Sequence, residues 1–335
     1  MMMRNALWLT VVLLMPTWTV AASPGRAQLL EDVRPRAVEQ VFASSTSDDP
    51  FLRANALEAV VSLPDRALPM VQLALDDEHP AVRFAALVTM GRLQQEEAGE
   101  TVLAMMLDDE SASVRAAARF AAHMTGAEVS LGPLANMLAS PSPSLRSNVA
   151  ILLGEMGDRS AVPMLAELAR TPMPRVDEVR QALTRLQVAE TMARLGDEAS
   201  MDALRAGAYS NLDEVRVLSV QALGKLEDRQ MSSALRHMLE LEGQRRPPIE
   251  VRLAAAEALA RMGDTHERLL STMLEGASMD EPPIQAQAAM AMAYLADRKA
   301  VEKLAGLLDH SHEQVRLAAA AAILRAGEVR VVRER

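Results

Sequence analysis

From about residue 26 onward, the chain repeats one pattern of apolar and polar positions. An apolar residue followed by Arg opens a stretch in which apolar or small residues stand at −1, +3, +6, +7 and +10 counted from that Arg. At 100° per residue these positions share one face of a helix. Val251-Arg252-Leu253-Ala254-Ala255-Ala256-Glu257-Ala258-Leu259-Ala260-Arg261-Met262-Gly263 shows the pattern in full. The opening pair recurs as Leu52-Arg53, Val82-Arg83, Val114-Arg115, Leu145-Arg146, Val179-Arg180, Val215-Arg216 and Val315-Arg316, with Ile284-Gln285 filling the one gap. Successive copies lie 30 to 36 residues apart, the period of a two-helix repeat.

Each copy supplies its own punctuation. Gly157-Asp158, Gly196-Asp197, Gly263-Asp264 and Gly327-Glu328 read as left-handed glycine stops. A second helix follows, typified by Ala161 to Ala169 with Pro163 in its first turn. The return turns Asp48-Asp49-Pro50, Asp77-Glu78-His79-Pro80 and Asp280-Glu281-Pro282-Pro283 are helix-start signals, because carboxylates favour the exposed amides of a first turn. The fifth inner helix, Arg180 to Leu195, is longer than its counterparts, and so are the turns Thr171 to Asp177, Glu242 to Pro248 and Gly276 to Pro283.

An acidic turn, Val-Arg and an Ala-rich helix ending in Leu-Gly resemble the HEAT repeat, in the short form also found in phycobilisome-lyase-type proteins. The resemblance spans roughly residues 26 to 327. It implies an all-α fold, an α-solenoid (armadillo/HEAT-like superhelix) of about nine two-helix repeats, with the helix after each turn on the concave side. It also implies that Arg53, Arg83, Arg115, Arg146, Arg180, Arg216, Arg252 and Arg316 tie turns together between stacked units, Gln285 leaving the eighth junction looser. Stability is then a sum of repeat and junction terms, so a cut after Gly263 leaves folded repeats.

Composition agrees with helices. Half of the residues are hydrophobic but only 2% aromatic, too few for a large sheet. There is no cysteine, and the formal charge of −10 opposes nucleic-acid binding, which needs clustered Lys and Arg. The first 22 residues carry one Arg, an apolar run Ala6 to Met15 and a small-residue end at Ala22. That order reads as a secretory signal peptide. The domain plan is therefore a signal peptide over 1–22, a solenoid over 23–327 and a C-terminal tail over 328–335, with the mature chain periplasmic or secreted.

The sequence offers little reaction chemistry. HEAT-type di-iron hydroxylases carry His-Glu pairs inside inner helices, whereas His266-Glu267 and His312-Glu313 fall in or near turns, so metal ligation is not carried over. The expectation is a non-catalytic scaffold without metal or cofactor, binding a protein or peptide along its concave face. Alternatives are a structural subunit of an envelope complex, or a HEAT-type lyase or metal-dependent enzyme. Candidate partner-binding residues are Phe84, Val88, Phe120, Met124 and Ile151, on or beside the strip opposite the core face of adjacent inner helices. The same residues could instead fill joints between those helices.

Overall fold

The computed structural model describes residues 25–94, 99–173 and 176–328; the expected signal peptide and nearly all of the expected tail lie outside them. The described residues contain eighteen α-helices and no strand. They fall into two compact units, one continuous (Pro64–Ala222) and one made of two segments (Met1–Leu63 with Leu223–Arg335). The first hairpin is α1 (Arg26–Ser44) with α2 (Pro50–Ala59). The continuous unit holds α3 (Pro64–Leu75) with α4 (Pro80–Leu93), α5 (Gly99–Asp108) with α6 (Ala112–Met124), α7 (Gly132–Leu138) with α8 (Pro143–Met156), and α9 (Val162–Arg170) with α10 (Glu178–Arg194). The next hairpin is α11 (Glu198–Gly207) with α12 (Asp213–Lys225). The second segment of the other unit adds α13 (Ser232–Glu240) with α14 (Ile249–Arg261), α15 (Arg268–Gly276) with α16 (Pro282–Met292), and α17 (Arg298–Leu307) with α18 (Glu313–Glu328). Within each unit the even-numbered helices, which follow the turns, pack on one another as its inner layer.

The turns work through hydrogen bonds. Asp49, Ser111, Ser142 and Asp177 each accept a first-turn amide of the helix that follows, satisfying donors that have no partner inside the helix. The repeated Arg folds back over its own turn: Arg83 Nη1 donates to the carbonyls of Asp77 and Glu78 (2.8 and 3.1 Å), and Arg316 Nη1 to those of His310 and Ser311 (2.8 and 2.9 Å). Arg53 and Arg115 do the same. Arg83 also reaches the next repeat, gripping Asp109 through Nε and Nη2 at 2.8 and 3.1 Å. That hydrogen bond is the main reason its pKa lies above the ordinary value. In the gap, Gln287 Nε2 donates to the Glu250 carbonyl at 3.0 Å and ties α16 to α14.

Arg252 grips Glu275 of α15 in the same two-pronged way, at 2.8 and 2.9 Å. Its hydrogen bond holds the Glu275 carboxyl below its ordinary pKa against the opposing effect of burial, helped by Arg246. A lowered carboxylate pKa stabilises the fold above the unfolded value of about 4.3, and the benefit is lost as pH falls through the lowered value. Acid titration of the melting temperature should therefore show a smaller drop in Glu275→Gln than in the wild type below about pH 4. Parallel curves would show that the pair contributes nothing.

In the fifth inner helix the repeat register is corrected. Arg180 is exposed, and Gln181 Nε2 instead donates to the Val176 carbonyl at 2.8 Å. Counting back from the left-handed Gly196 by the interval between Arg252 and Gly263 puts the packing origin at Arg185, so the extra residues sit at the start of α10. Gly157, Gly196 and Gly263 take the expected left-handed conformation (φ 73, 89 and 75°). Gly327 does not stop its helix, for α18 continues to Glu328. Nor is the turn before α16 long, since α15 runs on to Gly276 and leaves only residues 277–281.

Inner helices lie close together because glycine recurs at +8. A Cβ on Gly91 would stand 2.5 Å from the Phe120 ring, one on Gly154 3.0 Å from Thr191, and one on Gly224 2.6 Å from the Ala258 backbone. With neighbours on both sides and an outer helix behind, inner helices such as α4 and α14 are buried over most of their surface. In α14 all thirteen residues but Glu250 are buried. This is the state in which one-faced patterning fades.

In the two-segment unit the first hairpin packs on the last helix. The helix that α1 meets most extensively is α18, followed by α17 and α2. Leu30, Val33, Ala37 and Val41 form its buried stripe. Polar ties reinforce the seam: Arg26 Nη2 donates to the Ala326 carbonyl (3.1 Å), Arg36 pairs with Asp309 (2.5 Å), Ser47 donates to Glu313 (3.0 Å) and Arg316 Nε to Gln40 (3.2 Å). Arg26 is only 2% exposed, and desolvation holds its pKa below the ordinary value despite Asp297. Repeat neighbours in space are thus not only neighbours in sequence.

Candidate functional site

The inner strip is not an open apolar patch. Phe84, Val88, Phe120 and Ile151 are buried and Met124 half-buried. Phe120 is 0% exposed and its ring occupies the notch left by Gly91. Phe120 thus fills the joint between α4 and α6, and the burial of Phe84, Val88 and Ile151 likewise corrects the exposure expected from helical phase. The close approach permitted by glycine covers positions that a looser stack would leave open.

At +5 and +9 of the inner helices the strip instead carries ion pairs. In the continuous unit Arg92 Nε meets Glu155 at 3.3 Å, Arg194 meets the other Glu155 oxygen at 3.2 Å, and Arg194 also meets Glu190 at 3.4 Å. All four side chains are about nine-tenths buried. Such groups must stay paired, since removing one partner strands a buried charge. In the two-segment unit the same register places Glu257 and Arg261, paired at 2.9 Å. The Arg261 guanidinium carbon sits over the Tyr294 ring, 3.9 Å from its centroid, and Arg325 Nη1 donates to the Tyr294 hydroxyl at 2.9 Å. Burial opposes the Arg325 charge, yet Tyr294, Glu328 and Glu257 together hold its pKa above the ordinary value. None of these pairings is marked by the one-faced pattern of the repeat. The signal was present as charged or aromatic residues nine positions after the repeated Arg (Arg92, Glu155, Arg261 and Arg325) or after Gln285 in its place (Tyr294).

The large apolar side chains that are exposed lie elsewhere. On α5 only Val102 is buried, while Leu103 and Leu107 are 39 and 67% exposed. Glu100, Leu103, Ala104 and Leu107, all exposed, form a stripe at the spacing that one helix offers another. Leu73, 71% exposed, stands on α3, the outer helix of the preceding repeat. Carboxylates flank the stripe at Glu100, Asp108 and Glu110.

Repeated helix pairs with this turn chemistry are matched by the family described as HEAT repeats, over residues 34–122 and 131–224, more than half of the chain. The chain belongs to the HEAT repeat family. No curated protein matches it. Among solved structures it is similar to human deoxyhypusine hydroxylase in complex with glycerol, at 18% identity and a TM-score of 0.36, over 81% of this chain and 99% of that one. It is also similar to YibA of Escherichia coli, at 18% identity and a TM-score of 0.34, over 82% and 98% of the two chains. Neither likeness carries a function to this HEAT-repeat chain.

Three of its six histidines serve turns. His79 Nδ1 accepts the Ala81 amide and caps α4, His310 Nδ1 accepts the His312 amide, and His266 pairs with Glu240 at 3.1 Å. Among the described residues no three His, Asp or Glu side chains gather to hold a metal. No described helix is long and apolar enough to cross a membrane.

Proposed function

We propose that the protein is a non-catalytic, protein-binding HEAT scaffold that works in the periplasm or outside the cell. The observation that carries the reading is the apolar stripe of α5, exposed while the inner strip is buried. A stripe flanked by Glu100, Asp108 and Glu110 fits a partner helix with apolar residues at i, i+3/i+4 and i+7 and Lys or Arg at its margins. The composition of the first 22 residues supports export.

The double variant Leu103→Ser/Leu107→Ser should melt within a few degrees of the wild type, because neither side chain is buried. It should lose a partner that the wild type retains from an extract of the cell envelope, and mass spectrometry should find a basic amphipathic helix in that partner. Protein recovered from the envelope should begin near Ser23. Equal retention of the same partner by both forms would end the assignment of α5 as the docking surface.

A further inference from the structure

One segment of the sequence is so far without a role. Residues 329–335, Val-Arg-Val-Val-Arg-Glu-Arg, carry three Val and three Arg against one Glu, in a chain whose formal charge is −10. They lie outside the described residues. The exposed face of α5 has the opposite charge and the same order of groups. Along it stand Glu100, then Leu103, Ala104 and Leu107, then Asp108 and, just past the helix end, Glu110. The Glu110 side chain is 82% exposed although Arg83 stands 3.6 Å away, whereas Asp109 is gripped by Arg83 and turned inward. Because α5 packs chiefly on α6 and buries only Val102, the described residues leave most of its circumference uncovered.

The segment reads Arg330, then Val331 and Val332, then Arg333 and Arg335. Acid, apolar, acid on α5 thus faces base, apolar, base, and the lengths agree. Glu100 to Glu110 spans about 15 Å at a helical rise, and Arg330 to Arg335 spans about 17 Å as extended chain. Resting on the reading of α5 as the docking surface, we propose that this face binds residues 329–335 of a second copy of the chain, with Val331 and Val332 over Leu103 and Leu107 and the arginines on Glu100, Asp108 and Glu110. Charge-assisted Arg–carboxylate pairs set the register. The covered valines add what exposed ion pairs alone do not, since such pairs are worth little in water. Each copy has one such face and one such segment, so the contact is heterologous and association continues past the dimer unless a ring closes. A basic amphipathic helix from another protein competes for the same face, which makes capture of that partner depend on the concentration of the scaffold itself.

The test combines sedimentation velocity of the full mature chain with fluorescence anisotropy of a labelled peptide of residues 328–335. The full chain should sediment faster as its concentration rises, and deleting residues 329–335, which removes none of the described structure, should leave it monomeric. The peptide should bind that shortened chain saturably, with a Kd on the order of 100 µM. Raising salt from about 50 to about 500 mM should weaken it roughly fivefold or more. Peptide carrying Arg330→Gln, Arg333→Gln and Arg335→Gln should not bind, and neither should the normal peptide on Leu103→Ser/Leu107→Ser. A full chain that stays monomeric up to about 300 µM, well above that Kd, would overturn the proposal. So would equal association without residues 329–335, or peptide binding unaffected by the two leucine changes. Should one of these occur while Leu103→Ser/Leu107→Ser still loses its envelope partner, α5 remains the docking surface for that partner; retention of the partner by the variant would remove both.

Discussion

Serine at position 120 is expected to lower stability by about 3–5 kcal/mol, the cost of truncating a buried Phe with a hydroxyl added. Phe120 is fully enclosed and its ring packs across Gly91, so removing it leaves a void between α4 and α6 that those helices cannot close without shifting backbone. The change should appear as a melting temperature lowered by many degrees. A loss below about 1 kcal/mol, with partner capture abolished, would restore Phe120 to an exposed binding surface.

Deleting residues 264–335 is expected to strip the first hairpin of its protection. The deletion removes α18, against which α1 sets Leu30, Val33 and Val41. Burial of those three side chains is worth on the order of 5–8 kcal/mol, more than a two-helix hairpin supplies for itself. Hydrogen exchange should find the amides of α1 and α2 nearly unprotected in the fragment, though they lie more than 200 residues before the cut. Protection equal to that of the full chain would mean that the first hairpin is held by its sequence neighbours alone.

Much of this architecture is legible in the sequence. Turn carboxylates, helix-opening prolines and the recurring Arg each act within a few residues of themselves, so a linear reading finds them. What the sequence hides depends on distances between helices. The buried state of Phe84 and Phe120 follows from Gly91 and its equivalents drawing the inner helices together, and glycine at +8 reads as a helix-end signal until its neighbour is seen. The extra residues of α10 displace the repeat register, because Val179-Arg180 mimics a pair whose work falls to Gln181. The ion pairs of Arg92, Glu155 and Arg194 join helices 39 to 63 residues apart, beyond any local pattern. The contact of α1 with α18 leaves no periodic trace at all.

The stacking of the first hairpin on the last helix decides which surfaces of the two-segment unit are free, and one measurement tests it directly. The natural chain has no cysteine, so Arg36→Cys/Asp309→Cys introduces its only two thiols, at side chains that touch in the structure and are 47 and 72% exposed. In dilute solution a short bis-maleimide should join them within one chain, giving a faster-migrating monomer that neither single variant forms and that cleavage between the two positions does not separate. If the double variant stays unlinked while both thiols react with a monofunctional maleimide, α1 does not rest on the C-terminal repeat and the account is wrong.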